Sequence, residues 1–275
     1  MLRRMKYRLA VFDIDGTLIG PRANPSEGAA GRAVPESAAK AIKQLIGLGV
    51  TVAVGTARPY SASLRPLGEW DIRSETIASS GADVRREDGS VVVQHPFPDE
   101  TARFLAELCD RAAWTPSVAT VDGMILKLDE TPDWLGRAPE GTRVVRRLAT
   151  DVPKGMLSIV TGVEGESGFV EELNGHADLS TELALTSDGS QLVSVTAAGV
   201  DKGTGLVALC GALGIQPGEA VAFGDSEVDI PMFKAAGLSV AMGNSTAETK
   251  AQADTITSGV DEDGIAHAVE EIWGA

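Results

Sequence analysis

Two short and mostly apolar runs, Tyr7 to Phe12 and Val50 to Val54, frame a stretch in which apolar residues recur at helical spacing. Runs of that length, closed by acids or glycine, predict buried strands. Between them, Glu36 to Leu48 places Ala38, Ile42, Leu45 and Ile46 near one face of a helix. Pro35 stands at its first position and Gly47 and Gly49 near its end. Strand, helix and strand at this spacing predict a right-handed parallel βαβ unit.

The same rhythm returns toward the other end. Leu206 to Leu213 reads as helix, Ala220 to Phe223 as strand, Ile230 to Ala236 as helix and Leu238 to Ala241 as strand. Ser245 with Glu248 has the spacing of a capping box for a further helix. Asp263 to Trp273 puts Ile265, Val269, Ile272 and Trp273 on one stripe of the last helix. Between these halves the pattern changes. A hairpin is expected around Asp88-Gly89, followed by strand-like runs (Met124 to Leu128, Val144 to Leu148, Met156 to Val160, Ala177 to Leu185) that separate helix-like ones. The expectation is a parallel α/β core from residues 1–98 and 189–275, carrying a smaller inserted α/β unit at residues 99–188.

Composition narrows the function. The chain carries 24 Lys and Arg against 39 Asp and Glu, a formal charge of −15. Nucleic-acid binding draws on phosphate neutralisation by clustered cations, so DNA and RNA are not expected partners. An anionic membrane surface is disfavoured on the same ground, and no apolar run approaches the roughly 20 residues that span a bilayer. The basic residues at the start run within a few positions into acids, unlike a signal peptide. Cys109 and Cys210 have no metal-ligand spacing and read as buried hydrophobes, which fits a reducing cytoplasm.

Asp13-Ile14-Asp15-Gly16-Thr17 stands at the carboxyl end of the first strand, where open α/β sheets place their ligands. Alternation sends residues two apart to one side, so both carboxylates can face one point while Gly16 lets the chain turn. One can attack phosphorus and the other carry a proton; an Asx-type turn is the structural alternative. Three other segments supply what this one lacks. Gly55-Thr56-Ala57-Arg58 offers a hydroxyl and backbone N–H groups for phosphoryl oxygens, or a cap for the next helix. Asp201-Lys202-Gly203 offers a cation, or a solvated lysine. Gly224-Asp225-Ser226-Glu227-Val228-Asp229 offers hard oxygen ligands for Mg²⁺, or acids that complement a helix dipole.

Asp13-x-Asp15, Thr56, Lys202 and Gly224-Asp225-x-x-x-Asp229, in this order, resemble the four motifs of haloacid-dehalogenase-like (HAD) hydrolases. Val240 to Ser245, Ala253-Asp254 and Glu262 to Ile265 resemble the Cof-type branch of that superfamily, which are phosphatases with a C2-type cap between the second and third motifs. The resemblance implies a Rossmann-like parallel-sheet core, three-layer α/β/α, with an inserted α/β cap that closes over the site and sets specificity. It implies Asp13 as nucleophile and Asp15 as general acid/base. Mg²⁺ is then held by Asp13, the Asp15 carbonyl and Asp225, with Asp229 supporting the metal. Thr56, the Ala57 backbone and Lys202 take the phosphoryl group. The implied activity is hydrolysis of a small-molecule phosphate ester, sugar phosphates foremost, in the cytoplasm. Two positions depart from the pattern: Val228 stands where Asn is common, and Ala57 where Gly is.

A phosphotransferase or mutase, and a non-catalytic phosphometabolite-binding protein, remain alternatives. A dehalogenase is disfavoured because that chemistry needs neither Asp15 nor a metal. His95, His176 and His267 are too scattered for a metal set, Trp70, Trp114, Trp134 and Trp273 read as packing residues, and Arg146-Arg147 offers a secondary contact for an anion.

Overall fold

The computed structural model describes residues 6–20, 33–130, 135–136, 138–139, 141–163, 167–185 and 191–274; Trp134 and residue 188 lie outside the described residues. In chain order the strands are β1 Leu9–Phe12, β2 Thr51–Gly55, β3 Glu75–Ala78, β4 Asp83–Arg85, β5 Val91–Gln94, β6 Ser117–Thr120, β7 Gly123–Lys127, β8 Thr142–Val145, β9 Met156–Val163, β10 Leu179–Leu185, β11 Gln191–Ala197, β12 Ala220–Gly224, β13 Leu238–Ala241 and β14 Thr255–Ile256. The helices are α1 Glu36–Gly47, α2 Tyr60–Ser63, α3 Arg65–Gly68, α4 Asp99–Arg111, α5 Ser167–Asn174, α6 Lys202–Leu213, α7 Ile230–Ala235, α8 Ala247–Gln252 and α9 Gly264–Trp273.

The strands form two sheets. The larger has the order β14-β13-β12-β1-β2-β3-β4-β5, parallel from β14 through β3 and closed by the antiparallel β4–β5 hairpin around Asp88-Gly89. β1 is buried along its whole length because both faces are covered, which is why its sequence is a continuous apolar run. Ala10 and Phe12 face α1 and α9, together with Val52, Val54 and Phe223. Leu9 and Val11 face α6 and α7, among Leu206, Leu209, Met232 and Phe233. This is the expected three-layer α/β/α arrangement. Phe12 and Phe223 stack at 4.5 Å between ring centroids, locking β1 to β12 just before both strands release their acids.

The smaller sheet has the order β10-β11-β9-β6-β7-β8, antiparallel except for β7–β8. One face, with Val118, Ile125, Ile159, Val193 and Val195, packs under α4 and α5. Its last strand, β11, lies beyond residue 188, where the sequence placed the end of the insert; the sheet continues to Ala197.

Several local expectations shift. Ile46 is 43% exposed rather than on the buried face of α1, which Ala38, Ile42 and Leu45 provide. Pro35 precedes α1 instead of opening it. α8 is capped by Thr246, whose side chain accepts from the Thr249 N–H, so Ser245 lies outside the helix. β8 ends at Val145; the N–H groups of Leu148 and Ala149 donate to the Asp110 carboxylate, which draws the chain out of the strand. Both cysteines are buried, and burial pushes their thiols up to about 12 for Cys109 and about 11 for Cys210. Among the described residues, no helix is long and apolar enough to cross a membrane.

Candidate active site

The site is assembled at the carboxyl ends of β1, β2 and β12 and at the start of α6. Asp13 follows β1 directly, and its N–H donates to the Phe223 carbonyl, carrying the β1–β12 pairing one residue further. The chain then turns. Gly16 has φ +95°, and a side-chain carbon there would lie 2.0 Å from an oxygen of Asp225, so only glycine admits both the turn and the approaching acid. The Thr17 hydroxyl donates to Asp225 Oδ1 at 3.0 Å. From the far side, Asn244 Nδ2 donates to the Gly16 carbonyl at 2.8 Å while its Oδ1 accepts from the Val260 N–H. Asn244 appears in the sequence only as part of a tail motif; this contact across 228 positions has no local signal.

Lys202 opens α6 and is 1% exposed. Asp201 caps the helix, accepting from the Thr204 N–H at 2.7 Å while the Thr204 hydroxyl accepts from the Asp201 N–H. That box fixes where the lysine stem begins. The ammonium donates to Asp13 Oδ1 at 2.7 Å and to Asp229 Oδ1 at 2.6 Å. Asp229 is fully buried, and its second oxygen accepts from the N–H groups of Asp225 and Ser226 at 2.9 and 3.1 Å and from the Ser226 hydroxyl. Asp229 thus ties the Asp225 backbone to the lysine, and both of its oxygens are engaged.

Carboxylate oxygens of Asp13, Asp225 and Asp229 lie within 4.8 Å of one another. Burial, reinforced by Asp229 and Asp15 and opposed by Lys202, pushes the Asp13 carboxyl up to about 7. Asp225 is likewise held well above the usual carboxylate range by burial and by Asp13 and Asp229. Burial works against the Lys202 charge, but the two carboxylates outweigh it and the lysine stays cationic. Crowded, buried oxygens that disfavour their own ionisation are a donor set suited to a hard divalent cation.

Asp15 is held by a different partner. Its carboxylate is 45% exposed and is gripped by Arg58 through Nε and Nη2, both at 2.7 Å. The bidentate guanidinium fixes the second carboxylate beside the cluster, close enough for Asp13 to feel its charge. The motif pattern by itself assigns Arg58 no role; its contact with Asp15 supplies one. Thr56 is 1% exposed; its N–H donates to the Ile77 carbonyl, and its hydroxyl accepts from the Arg58 N–H at 3.1 Å, which leaves the hydroxyl proton to donate elsewhere. The β1–β2 register, with Phe12 opposite Val54, sets Thr56 and Ala57 beside the Asp13 turn. Among the described residues, the hydrogen bonds of Thr56 run to Ile77, Ser80 and Arg58 rather than to the Asp13–Lys202–Asp229 cluster.

Behind Thr56 lies a strained turn. Ser79, Ser80 and Gly81 have φ of 53°, 51° and 96° in succession. The Ser79 N–H donates to the Arg58 carbonyl and the Ser80 N–H to the Thr56 carbonyl. Two non-glycine residues in the left-handed region persist only where surroundings over-determine them. Here they brace the Thr56–Arg58 loop, and the Ser80 hydroxyl meets the Ser194 hydroxyl of β11 at 3.0 Å. Nearby, a cleft of about 160 Å³ opens between Tyr60, Ser61, Asp83 and Arg85 on the larger sheet's side and Ala119 to Gly123 of the smaller one.

Comparison with known proteins agrees with this construction. The profile of the haloacid dehalogenase-like hydrolase family matches residues 10–269. A phosphoglycolate phosphatase of Methanopyrus kandleri is 28% identical over 260 residues, covering 94% of each chain. The 5-amino-6-(5-phospho-D-ribitylamino)uracil phosphatase YcsE of Bacillus subtilis is 26% identical over 265 residues, covering 95% of this chain and 94% of its own. Among solved structures, a haloacid dehalogenase-like hydrolase from B. subtilis superposes with a TM-score of 0.81 at 20% identity, over 96% of this chain and 99% of the other. The HAD subclass IIB sugar phosphatase BT4131 superposes with a TM-score of 0.77 at 22% identity, over 96% and 98%.

Proposed function

The chain belongs to the haloacid dehalogenase-like hydrolases and is a phosphatase, and from that premise we propose that it hydrolyses phosphomonoesters of small metabolites, sugar phosphates foremost, through an aspartyl-phosphate on Asp13 with Mg²⁺ bound. The observation that carries the reading is the buried Asp13–Lys202–Asp229 chain of contacts with Asp225 beside it.

Each residue has a task that its geometry allows. Asp13 is held by one oxygen on Lys202, which leaves the other to attack phosphorus in line with the departing alcohol. Lys202 draws on two acids to stay charged, so it can neutralise the transferring phosphoryl oxygens without losing its proton. The Thr56 hydroxyl and Ala57 N–H donate to those oxygens. Asp15 protonates the leaving alcohol and then takes a proton from the attacking water, and Arg58 sets its direction. Asp13, Asp225 and the Asp15 carbonyl would hold Mg²⁺, which would supply the charge that lets a phosphate dianion approach several carboxylates. Asp229 positions Lys202 and the Asp225 backbone. The relatives that act on phosphoglycolate and on a ribityl phosphate support a small phosphomonoester as substrate.

The test is phosphate release from a panel of phosphate esters, with Asp13→Asn as control. Mg²⁺-dependent release by the parent chain and its loss in the variant are the expected result. Release that persists in Asp13→Asn assigns the chemistry elsewhere.

A further inference from the structure

Strand register defines the face that the smaller sheet turns toward the cluster. Val144, Leu126, Ser117, Val160, Ser194 and Glu182 stand in one row across β8, β7, β6, β9, β11 and β10. The Ser194–Ser80 contact shows that this row faces the core, and the opposite face lies under α4 and α5. At the described strand positions on the core-facing side, Glu182 is the only charged residue.

Its surroundings are those of the active site. β10 packs on the Glu227–Asp229 turn. Burial pushes the Glu182 carboxyl up to about 7, with Lys202, Asp201 and Asp229 as the charges it feels. Its Oε2 is enclosed and, among the described residues, has no hydrogen-bond partner. A buried acceptor without a donor costs free energy, and a lone one opposite a catalytic cluster is a place for a ligand's donor. An ester with its phosphorus held beside Asp13 and Lys202 can extend its alcohol portion toward the smaller sheet, whose β10 packs on the Glu227–Asp229 turn.

We infer that Glu182 accepts a hydrogen bond from a hydroxyl of the substrate's alcohol portion, and thereby selects phosphate esters whose alcohol portion is hydroxylated and uncharged over those that carry a carboxylate. The inference rests on the phosphatase reading. A substrate hydroxyl satisfies the enclosed oxygen. A substrate carboxylate meets a second carboxylate in a poorly solvated space, where like charges repel strongly. The distinction separates two substrate types that relatives at comparable identity act on, a ribityl phosphate and phosphoglycolate.

The experiment measures kcat/KM on polyol and sugar phosphates and on phosphoglycolate and 3-phosphoglycerate, for the parent chain, Glu182→Gln and Glu182→Ala, with thermal melts on each. The parent chain should prefer at least one hydroxylated ester to both phosphocarboxylates. Both variants should shrink that preference by roughly tenfold or more, through a higher KM for the hydroxylated ester and a lower one for the phosphocarboxylates. A parent chain that prefers a phosphocarboxylate, or an unchanged ratio in both variants, overturns the inference. Release of p-nitrophenol from p-nitrophenyl phosphate by the parent chain, lost in Asp13→Asn, tests the phosphatase reading separately.

Discussion

Asp13 shows how one side chain couples stability to chemistry. Its carboxyl sits at about 7 in the folded chain against an ordinary 3.8, and Glu182 at about 7 against 4.5. Between about pH 4 and 7 the folded state therefore holds protons that the unfolded state has released. Folding stability from these groups is fully present below their unfolded values and is lost as pH rises through 7. In chelator, the melting temperature is expected to be lower at pH 7.5 than at pH 5.5, and Asp13→Asn should narrow that gap. A gap of the same size in the variant would acquit Asp13. Added Mg²⁺ should raise the melting temperature most at pH 7.5, because the cation and the proton relieve the same crowding. Turnover should fall by about 10⁴-fold or more in Asp13→Asn, which removes the nucleophile. In Asp15→Asn the loss should be about 10²- to 10⁴-fold, the range of a general acid/base. Equal kcat in Asp15→Asn would give the proton-carrying role to another group.

At the scale of elements, α6 is built to deliver one lysine. With Asp201 as cap and Thr204 answering it, the helix can start at one residue only, and Lys202 is that residue. Asp201→Ala should cost about 1 kcal/mol of stability and raise KM by loosening the lysine; a urea melt and a saturation curve measure both. The core elements were legible because their strands are apolar on both faces and their helices keep one apolar stripe, as in Leu9–Phe12 and Ala38, Ile42, Leu45. Ile46 shares the helical spacing yet is exposed, since spacing marks a stripe but not how wide a neighbour covers it. Thr246 took the cap from Ser245 because two adjacent hydroxyl residues are equivalent until the chain's direction is set. In the site, Asp13, Lys202, Asp225 and Asp229 were readable as strand-end and helix-start residues. Arg58 on Asp15, Asn244 on Gly16 and Ser80 on Ser194 were not, because each contact joins segments whose separation only the fold closes.

For the whole molecule, the second sheet decides where the insert ends. β11 alternates Leu192, Ser194 and Thr196 toward the core with Val193 and Val195 under the helices, and it lies past the border expected at residue 188. A polar, glycine-containing stretch marks a domain border or a link between paired strands equally well. Here it joins strands, since Leu185 pairs with Gln191. Excising residues 99–188 would therefore strip β11 of both neighbours and bare Val193 and Val195, which are 0% and 1% exposed. An unpaired apolar strand is an aggregation site. Excising residues 97–198 instead removes the sheet whole. It also removes Phe97, whose N–H donates to Met156 of β9. The cut ends lie close together, because the His95 N–H donates to the Ala82 carbonyl and Val200 packs on Ala82, so a short glycine-serine link can join them. The longer excision should elute as a soluble, folded core that still cleaves p-nitrophenyl phosphate but distinguishes poorly among natural esters, while the shorter one should aggregate. A soluble 99–188 excision with parental selectivity would return β11 to the core and take specificity away from the second sheet.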